Sequence, residues 1–107
     1  MPYRKFDKGL VKIDGMVLDV EKTSLFKNGK EVHLTPKETK LMAILMENVG
    51  QVVSRSELMQ EVWNTEYLGD TRTLDVHICW LRQKIEDNPR IPELILTRRG
   101  QGYELRI

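Results

Sequence analysis

Cysteine occurs once in the 107 residues, at Cys79. No internal disulfide can therefore form, which agrees with a reducing compartment. No apolar run approaches the roughly 18 residues of a membrane-spanning helix, and nothing resembles a signal peptide. The sequence thus predicts a soluble cytoplasmic protein. Two histidines and one cysteine, without ligand spacing, argue against a metal site. Cys79 and His77 are two apart on a predicted helix and diverge, so they cannot act directly as nucleophile and base. Walker and dinucleotide glycine patterns are missing, and the "GQG" at 100–102 is turn chemistry. Internal repeats and low-complexity tracts are missing as well. A cofactor-free, metal-free, non-enzymatic protein is expected.

Excess charge of one sign is also scarce, the net being +1. Its distribution says more. Residues 1–34 carry seven Lys/Arg against five Asp/Glu, residues 35–70 three against six, and residues 71–107 seven against five. The middle third is acidic (−3) and each flank is basic (+2). A surface facing nucleic acid would belong to a flank, with the middle turned elsewhere. Solvated surface charge explains the same pattern about as well.

The length suits one domain with a modest core. Residues 1–9, "MPYRKFDKG", are polar and basic and read as a linker remnant, leaving 10–107 as the domain. From Leu10 to Leu34, "LVKI", "MVLDV", "SLFK" and "EVHL" read as strands. Asp14-Gly15 and Asn28-Gly29 mark hairpin turns of type I′, which need positive φ. The pattern changes at Thr35, where "TPKE" offers an N-cap, a proline at the first helical position and Glu38 to close a capping box. Leu41, Ile44, Leu45 and Val49 follow at helical spacing, and Gly50 is the expected stop. "QVVS" reads as a short extended link. Ser54 and Glu57 repeat the capping-box spacing ahead of a second helix carrying Leu58, Val62 and Trp63. Residues 64–70, "NTEYLGD", read as a loop, after which Asp70 or Thr71 can cap a third helix that Asn88-Pro89 ends. "LILTRR", "GQG" and "YELRI" read as a closing hairpin. The expected order is four strands, three helices and one hairpin.

The third helix, "TLDVHICWLRQKIED" (73–87), carries more apolar residues than one core stripe needs. Leu74, Ile78, Leu81 and Ile85 share a face at 100° per residue. Val76, Cys79 and Trp80 point away from it, among Arg72 and Gln83, where a surface helix should be polar. Two helices joined by a loop, the second with this unexplained face, suggest helix-turn-helix. The terminal hairpin, with arginines near its tip, suggests a wing.

At this point the chain resembles the C-terminal effector domain of OmpR/PhoB-type response regulators. The resemblance rests on "LTPKETKLM" (34–42), "VVSRSELMQEVW" (52–63), "TRTLDVHICWLRQKIE" (71–86) and "LTRRGQGYEL" (96–105), which cover the domain end to end. It implies an α+β winged helix-turn-helix: an N-terminal four-stranded antiparallel sheet, three helices and a C-terminal hairpin wing. It implies double-stranded DNA as partner, with the third helix in the major groove and the wing in the minor groove. Arg72, His77 and Arg82 match positions that hold phosphates. Thr97 and Arg99 match sugar-phosphate and minor-groove residues. Val76 and Trp80 are candidates for thymine-methyl contacts, with Cys79 and Gln83 beside them. The sequence departs from well-known relatives at Cys79 and Trp80, where arginines often stand, and at Arg98, where a small apolar residue is commoner. Fewer arginines on the helix should shift readout from guanine toward shape and methyl groups.

The resemblance further implies a polymerase contact by the loop before the third helix, here Glu66, Tyr67 and Leu68. It implies a receiver domain upstream, missing from this chain, so Met1 is expected to begin an excised domain. A monomer when free and a head-to-tail dimer on direct-repeat half-sites are expected. Plainer readings stand beside these. Trp80 would pack on the 64–70 loop, His77 would be a half-buried polar residue, Val76 and Cys79 incidental exposed apolar groups, and Arg98 and Arg99 a solvated pair. A winged helix used to dock a protein is the main functional alternative; a small enzyme would need convergent ionisable groups that the sequence does not offer.

Overall fold

The computed structural model describes residues 9–65 and 71–107. Strands β1 (Leu10–Ile13), β2 (Met16–Asp19), β3 (Ser24–Lys27) and β4 (Lys30–His33) form an antiparallel sheet in sequence order. Two of its three turns fall at the Asx-Gly pairs, but they differ. Asn28 (φ 52) and Gly29 (φ 83) are both left-handed, as a type I′ turn requires. At the first pair only Gly15 is (φ 77), so that turn is not type I′.

Helix α1 (Pro36–Glu47) begins as the sequence predicts. The Thr35 hydroxyl accepts the Glu38 amide at 3.2 Å, and Glu38 Oε1 accepts the Thr35 amide at 3.0 Å. Leu41 to Met46 are six consecutive buried residues, so α1 is the central helix, apolar all round. Met16, Leu18 and Leu25 cover one side of it from the sheet. The helix stops at Glu47, before Gly50. Asn48 ends it, its side-chain amide donating to the Ile44 carbonyl at 2.8 Å. Val49 lies beyond the helix and is exposed, and the Gly50 amide donates to the Leu105 carbonyl at 2.8 Å.

That last bond belongs to a feature the sequence reading lacks. Residues 52–54 are a strand, β5 (Val52–Ser54), not a link. It pairs antiparallel with β7 (Gly102–Leu105), which pairs with β6 (Ile95–Arg98), so the closing hairpin is two strands of a three-stranded sheet ordered β5-β7-β6. Helix α2 (Arg55–Trp63) follows β5 directly, with the Ser54 hydroxyl accepting the Glu57 amide at 3.1 Å. Helix α3 (Arg72–Ile85) buries Leu74, Ile78, Leu81 and Ile85. Thr71 is its N-cap residue but makes no side-chain cap bond. At the other end Lys27 of β3 donates to the Ile85 carbonyl at 2.8 Å, satisfying an orphan acceptor where a cation is favoured. Lys84 and the buried Glu38 pair at 2.6 Å, joining α3 to α1. The Glu86 carboxylate accepts the amides of Glu93, Leu94 and Ile95, which fixes the approach to β6. Among the described residues no helix is long and apolar enough to cross a membrane.

Candidate nucleic-acid interface

The outer face of α3 is open. Val76 is 42% and Trp80 47% exposed, and Arg72, Cys79 and Gln83 are exposed too. The Gln83 amide reaches the Cys79 sulfur at 3.7 Å. An open apolar strip on the face of α3 away from its core stripe is the arrangement the sequence predicts. Residues 66–70 lie outside the described residues, and with them the packing of Trp80 on that loop and the places of Glu66, Tyr67 and Leu68. Residues 1–8, most of the predicted linker remnant, lie outside as well.

The wing stands beside this face because Arg82 ties the two together. Its Nε and Nη2 donate to the Ile95 carbonyl at 3.1 and 2.8 Å, and Nη2 also donates to the Thr97 hydroxyl at 2.9 Å. Its guanidinium carbon lies 5.7 Å from the Tyr103 ring centroid. Arg82 thus spends several of its five donors inside the protein. Thr97, itself exposed, receives one of them.

The two wing arginines behave differently. Arg98 Nε donates to Glu104 at 2.7 Å, across the hairpin, and Glu104 is largely buried. The solvated reading of Arg98 does not describe this pair. Arg99 sits in the turn, where the Gln101 amide donates to the Arg98 carbonyl at 2.8 Å. It is exposed, and among the described residues it has no ion-pair partner. Gly100 takes the left-handed position of this turn (φ 75).

Behind the face lies a network the sequence reading missed. Arg55, at the start of α2, grips Asp75 of α3 with two parallel bonds, Nη1 to Oδ1 at 2.8 Å and Nη2 to Oδ2 at 3.0 Å. Arg55 Nη2 also donates to the Thr71 hydroxyl at 2.6 Å and to its carbonyl at 3.3 Å. The Tyr103 hydroxyl of β7 donates to Asp75 Oδ1 at 2.6 Å. One carboxylate therefore joins α2, α3 and the wing. Hydrogen bonding from Arg55 holds the Asp75 carboxyl below its ordinary range, against burial, and Tyr103 adds to it. Hydrogen bonding to Asp75 raises Arg55. Burial, then the bond to Asp75, raises the Tyr103 phenol. Asp75 sits in the first turn of α3, where the helix dipole also favours an anion. The available signal was a pair of opposite charges, each near a predicted helix start. It identifies charged candidates but not their pairing.

His77 is half-buried, with Nδ1 2.8 Å from the Thr73 carbonyl oxygen. Its ring lies between those of Trp63 and Trp80, each centroid 5.0 Å away.

The family described as transcriptional regulatory protein, C terminal, matches residues 29–105. The chain belongs to this family. Among its relatives, the sensory transduction protein RegX3 of Mycolicibacterium smegmatis is 42% identical over 99 residues, covering 92% of this chain and 43% of RegX3. The response regulator DrrB, a Thermotoga maritima OmpR/PhoB homologue, superposes with a TM-score of 0.79 at 33% identity, over 92% of this chain and 45% of DrrB. The DNA-binding domain of Klebsiella pneumoniae RstA, solved in complex with the RstA box, superposes with a TM-score of 0.81 at 27% identity, over 91% of this chain and 96% of that one. The chain spans less than half of RegX3 and of DrrB, and nearly all of the isolated RstA domain. The fold is thus the winged helix that the resemblance implies, and this is an OmpR/PhoB-type DNA-binding output domain.

Proposed function

We propose that this domain recognises a specific double-stranded DNA sequence with α3 in the major groove and the tip of the β6–β7 hairpin in the adjacent minor groove. The observation that carries the reading is the open strip of Val76, Cys79 and Trp80 set beside a wing whose tip arginine, Arg99, is uncommitted. Apolar side chains on a reading helix match thymine methyl groups, and a lone exposed arginine suits the enhanced negative potential of a narrow minor groove. Arg72 and His77 border the strip and are assigned to phosphates, which set register rather than sequence. Arg82 and Thr97, tied to each other, act as a pair that presents the Thr97 hydroxyl and a remaining guanidinium edge to the backbone. Gln83 extends the strip, and Arg98 stiffens the hairpin through Glu104.

Two proposals concern the larger protein. An upstream receiver domain, regulated by phosphorylation, would control a cytoplasmic transcription factor that binds direct-repeat half-sites head to tail. Glu66, Tyr67 and Leu68 would contact RNA polymerase. Operator affinity measured beside transcription from the same promoter separates this contact from scaffolding. Glu66→Ala or Tyr67→Ala in the full-length regulator should keep the first and lose the second, and proportional loss of both would remove the polymerase contact.

Selection of bound duplexes from a random pool tests the DNA reading directly. It should return a thymine-containing core, as two half-sites in direct repeat, with affinity falling steeply as salt rises. If the selection returns no sequence preference and binding to a protein partner is indifferent to salt, the face is a protein-docking surface instead.

A further inference from the structure

Three aromatic rings run from the end of α2 to the outer face of α3. The Trp63 and His77 centroids are 5.0 Å apart with planes at 79°, an edge-to-face contact. The His77 and Trp80 centroids are 5.0 Å apart with planes at 58°. The middle ring is held in place. A carbonyl only accepts, so the 2.8 Å contact to Thr73 O puts the hydrogen on His77 Nδ1 and fixes the ring's rotation. Thr73, His77 and Trp80 follow at spacings of four and three, one row along the helix. The inner ring is held as well. Lys37 of α1 donates to the Val62 carbonyl at 3.2 Å and places its ammonium 5.9 Å from the Trp63 ring centroid. The outer ring is nearly half exposed. An exposed indole on a helix ordinarily samples more than one rotamer.

We infer that Trp63 and His77 are positioning residues for Trp80. The ladder that starts in α2 holds the outer indole in one rotamer and so sets which base step α3 prefers. Trp63 would then shape base preference without touching DNA. This rests on the reading above that Trp80 meets a base. Edge-to-face geometry is what makes the ladder directional: each ring meets the next at a preferred angle, so turning one ring disfavours the position of its neighbour. The same placement gives His77 a task distinct from holding a phosphate.

The test has one arm without DNA and one with it. In the free domain, χ1 scalar couplings of Trp80 should report one rotamer. They should average in His77→Ala and in Trp63→Leu. In His77→Phe, which keeps a ring but loses the bond to Thr73, they should average less than in His77→Ala. Thermal melts identify any variant that fails to fold; His77→Ala carries the test if Trp63→Leu does not fold. On DNA, replacing the contacted thymine of the selected duplex by uracil should weaken wild type about fourfold, the effect of one buried methyl. Trp80→Ala should show no such loss. His77→Ala should lose most of the discrimination although Trp80 is present, and His77→Phe should retain more of it than His77→Ala. An unaveraged Trp80 rotamer in His77→Ala overturns the inference whatever happens on DNA. Averaging with unchanged uracil discrimination overturns the link to base preference. Uniform weakening on all sequences with uracil discrimination kept leaves His77 only the phosphate contact and overturns the positioning role. A wild type indifferent to every uracil replacement defeats the methyl reading of Trp80 itself, and the couplings measured without DNA distinguish that failure from the others.

Discussion

A side chain on Gly102 would collide with the Val53 carbonyl oxygen and come within 2.9 Å of the Ser54 α-carbon. Both atoms are backbone, so neither can swing away. Gly102→Ala must push β5 from β7, and we expect a loss of about 1–3 kcal/mol, the usual range for overpacking. Calorimetry should show a melting temperature lower by several degrees, with weaker DNA binding in proportion to the displaced wing. An unchanged melting temperature would mean that β5 does not press on β7 in solution. This residue also marks a limit of reading sequence. The "GQG" stretch announces a tight hairpin, and Gly100 supplies the turn. The reason for the second glycine is a strand some 50 residues earlier in the chain, and no local pattern connects them. The open face of α3 was legible for the opposite reason: Val76, Cys79 and Trp80 violate the amphipathic rule of their own helix, and that violation is local. The commitments of Arg82 to Ile95 and of Arg98 to Glu104 are not, since a long cationic side chain has many carboxylates and carbonyls within reach.

Each element start was legible where its cap is a short-range device. Thr35 and Glu38 serve α1, and Ser54 serves α2. The start of α3 is different, because Thr71 does not cap its own helix. Its hydroxyl accepts from Arg55 instead, and the network of Arg55, Asp75 and Tyr103 replaces a cap with a junction of three elements. The junction has a pH window with a definite sign. Asp75 is depressed below its ordinary 3.8, so its contribution to stability is complete above that value and is lost as pH falls through the lower folded pKa. Tyr103 is raised above its ordinary 10.0, so its contribution is complete below 10.0 and is lost as pH rises through the higher folded pKa. Thermal melts across pH should therefore fall off on both sides of this window. Asp75→Asn should flatten the acid limb, and Tyr103→Phe the alkaline limb, each lowering the plateau between. Limbs that persist unchanged in both variants would assign the pH dependence to other groups. Partial exposure of Asp75 and Arg55 keeps the effect modest.

For the whole molecule, a net charge of +1 would not by itself announce a nucleic-acid partner. What matters is which cations remain uncommitted. Lys27, Lys84, Arg55, Arg82 and Arg98 all have partners within the fold, whereas Arg99 faces solvent at the wing. At the face formed by α3 and the wing, where Arg82 and Arg98 are engaged, the binding energy supplied by charge should then depend strongly on Arg99. Arg99→Ala is expected to cost on the order of 1–3 kcal/mol on the selected duplex and to reduce the slope of log affinity against log salt by about 1. Removing a side chain already engaged within the fold should show its effect in the thermal melt first. Equal affinities for wild type and Arg99→Ala at physiological salt would take the wing out of the minor groove.

The order β5-β7-β6 also bears on how the domain is made. Strand β7 lies between its partners, and it supplies the Tyr103 hydroxyl that donates to Asp75 of α3. On a ribosome, β1 to α3 can all emerge before β7 exists. Until it does, β5 and β6 have no common partner, Asp75 lacks one of its donors, and the wing cannot stand beside α3. Pairings this distant in sequence close slowly, because loop entropy must be overcome before any contact repays it. A nascent chain can therefore gather most of its hydrophobic centre before its reading surface, and a product cut short ahead of residue 102 would lack Tyr103 and Leu105 from the core as well as the strand that holds the wing.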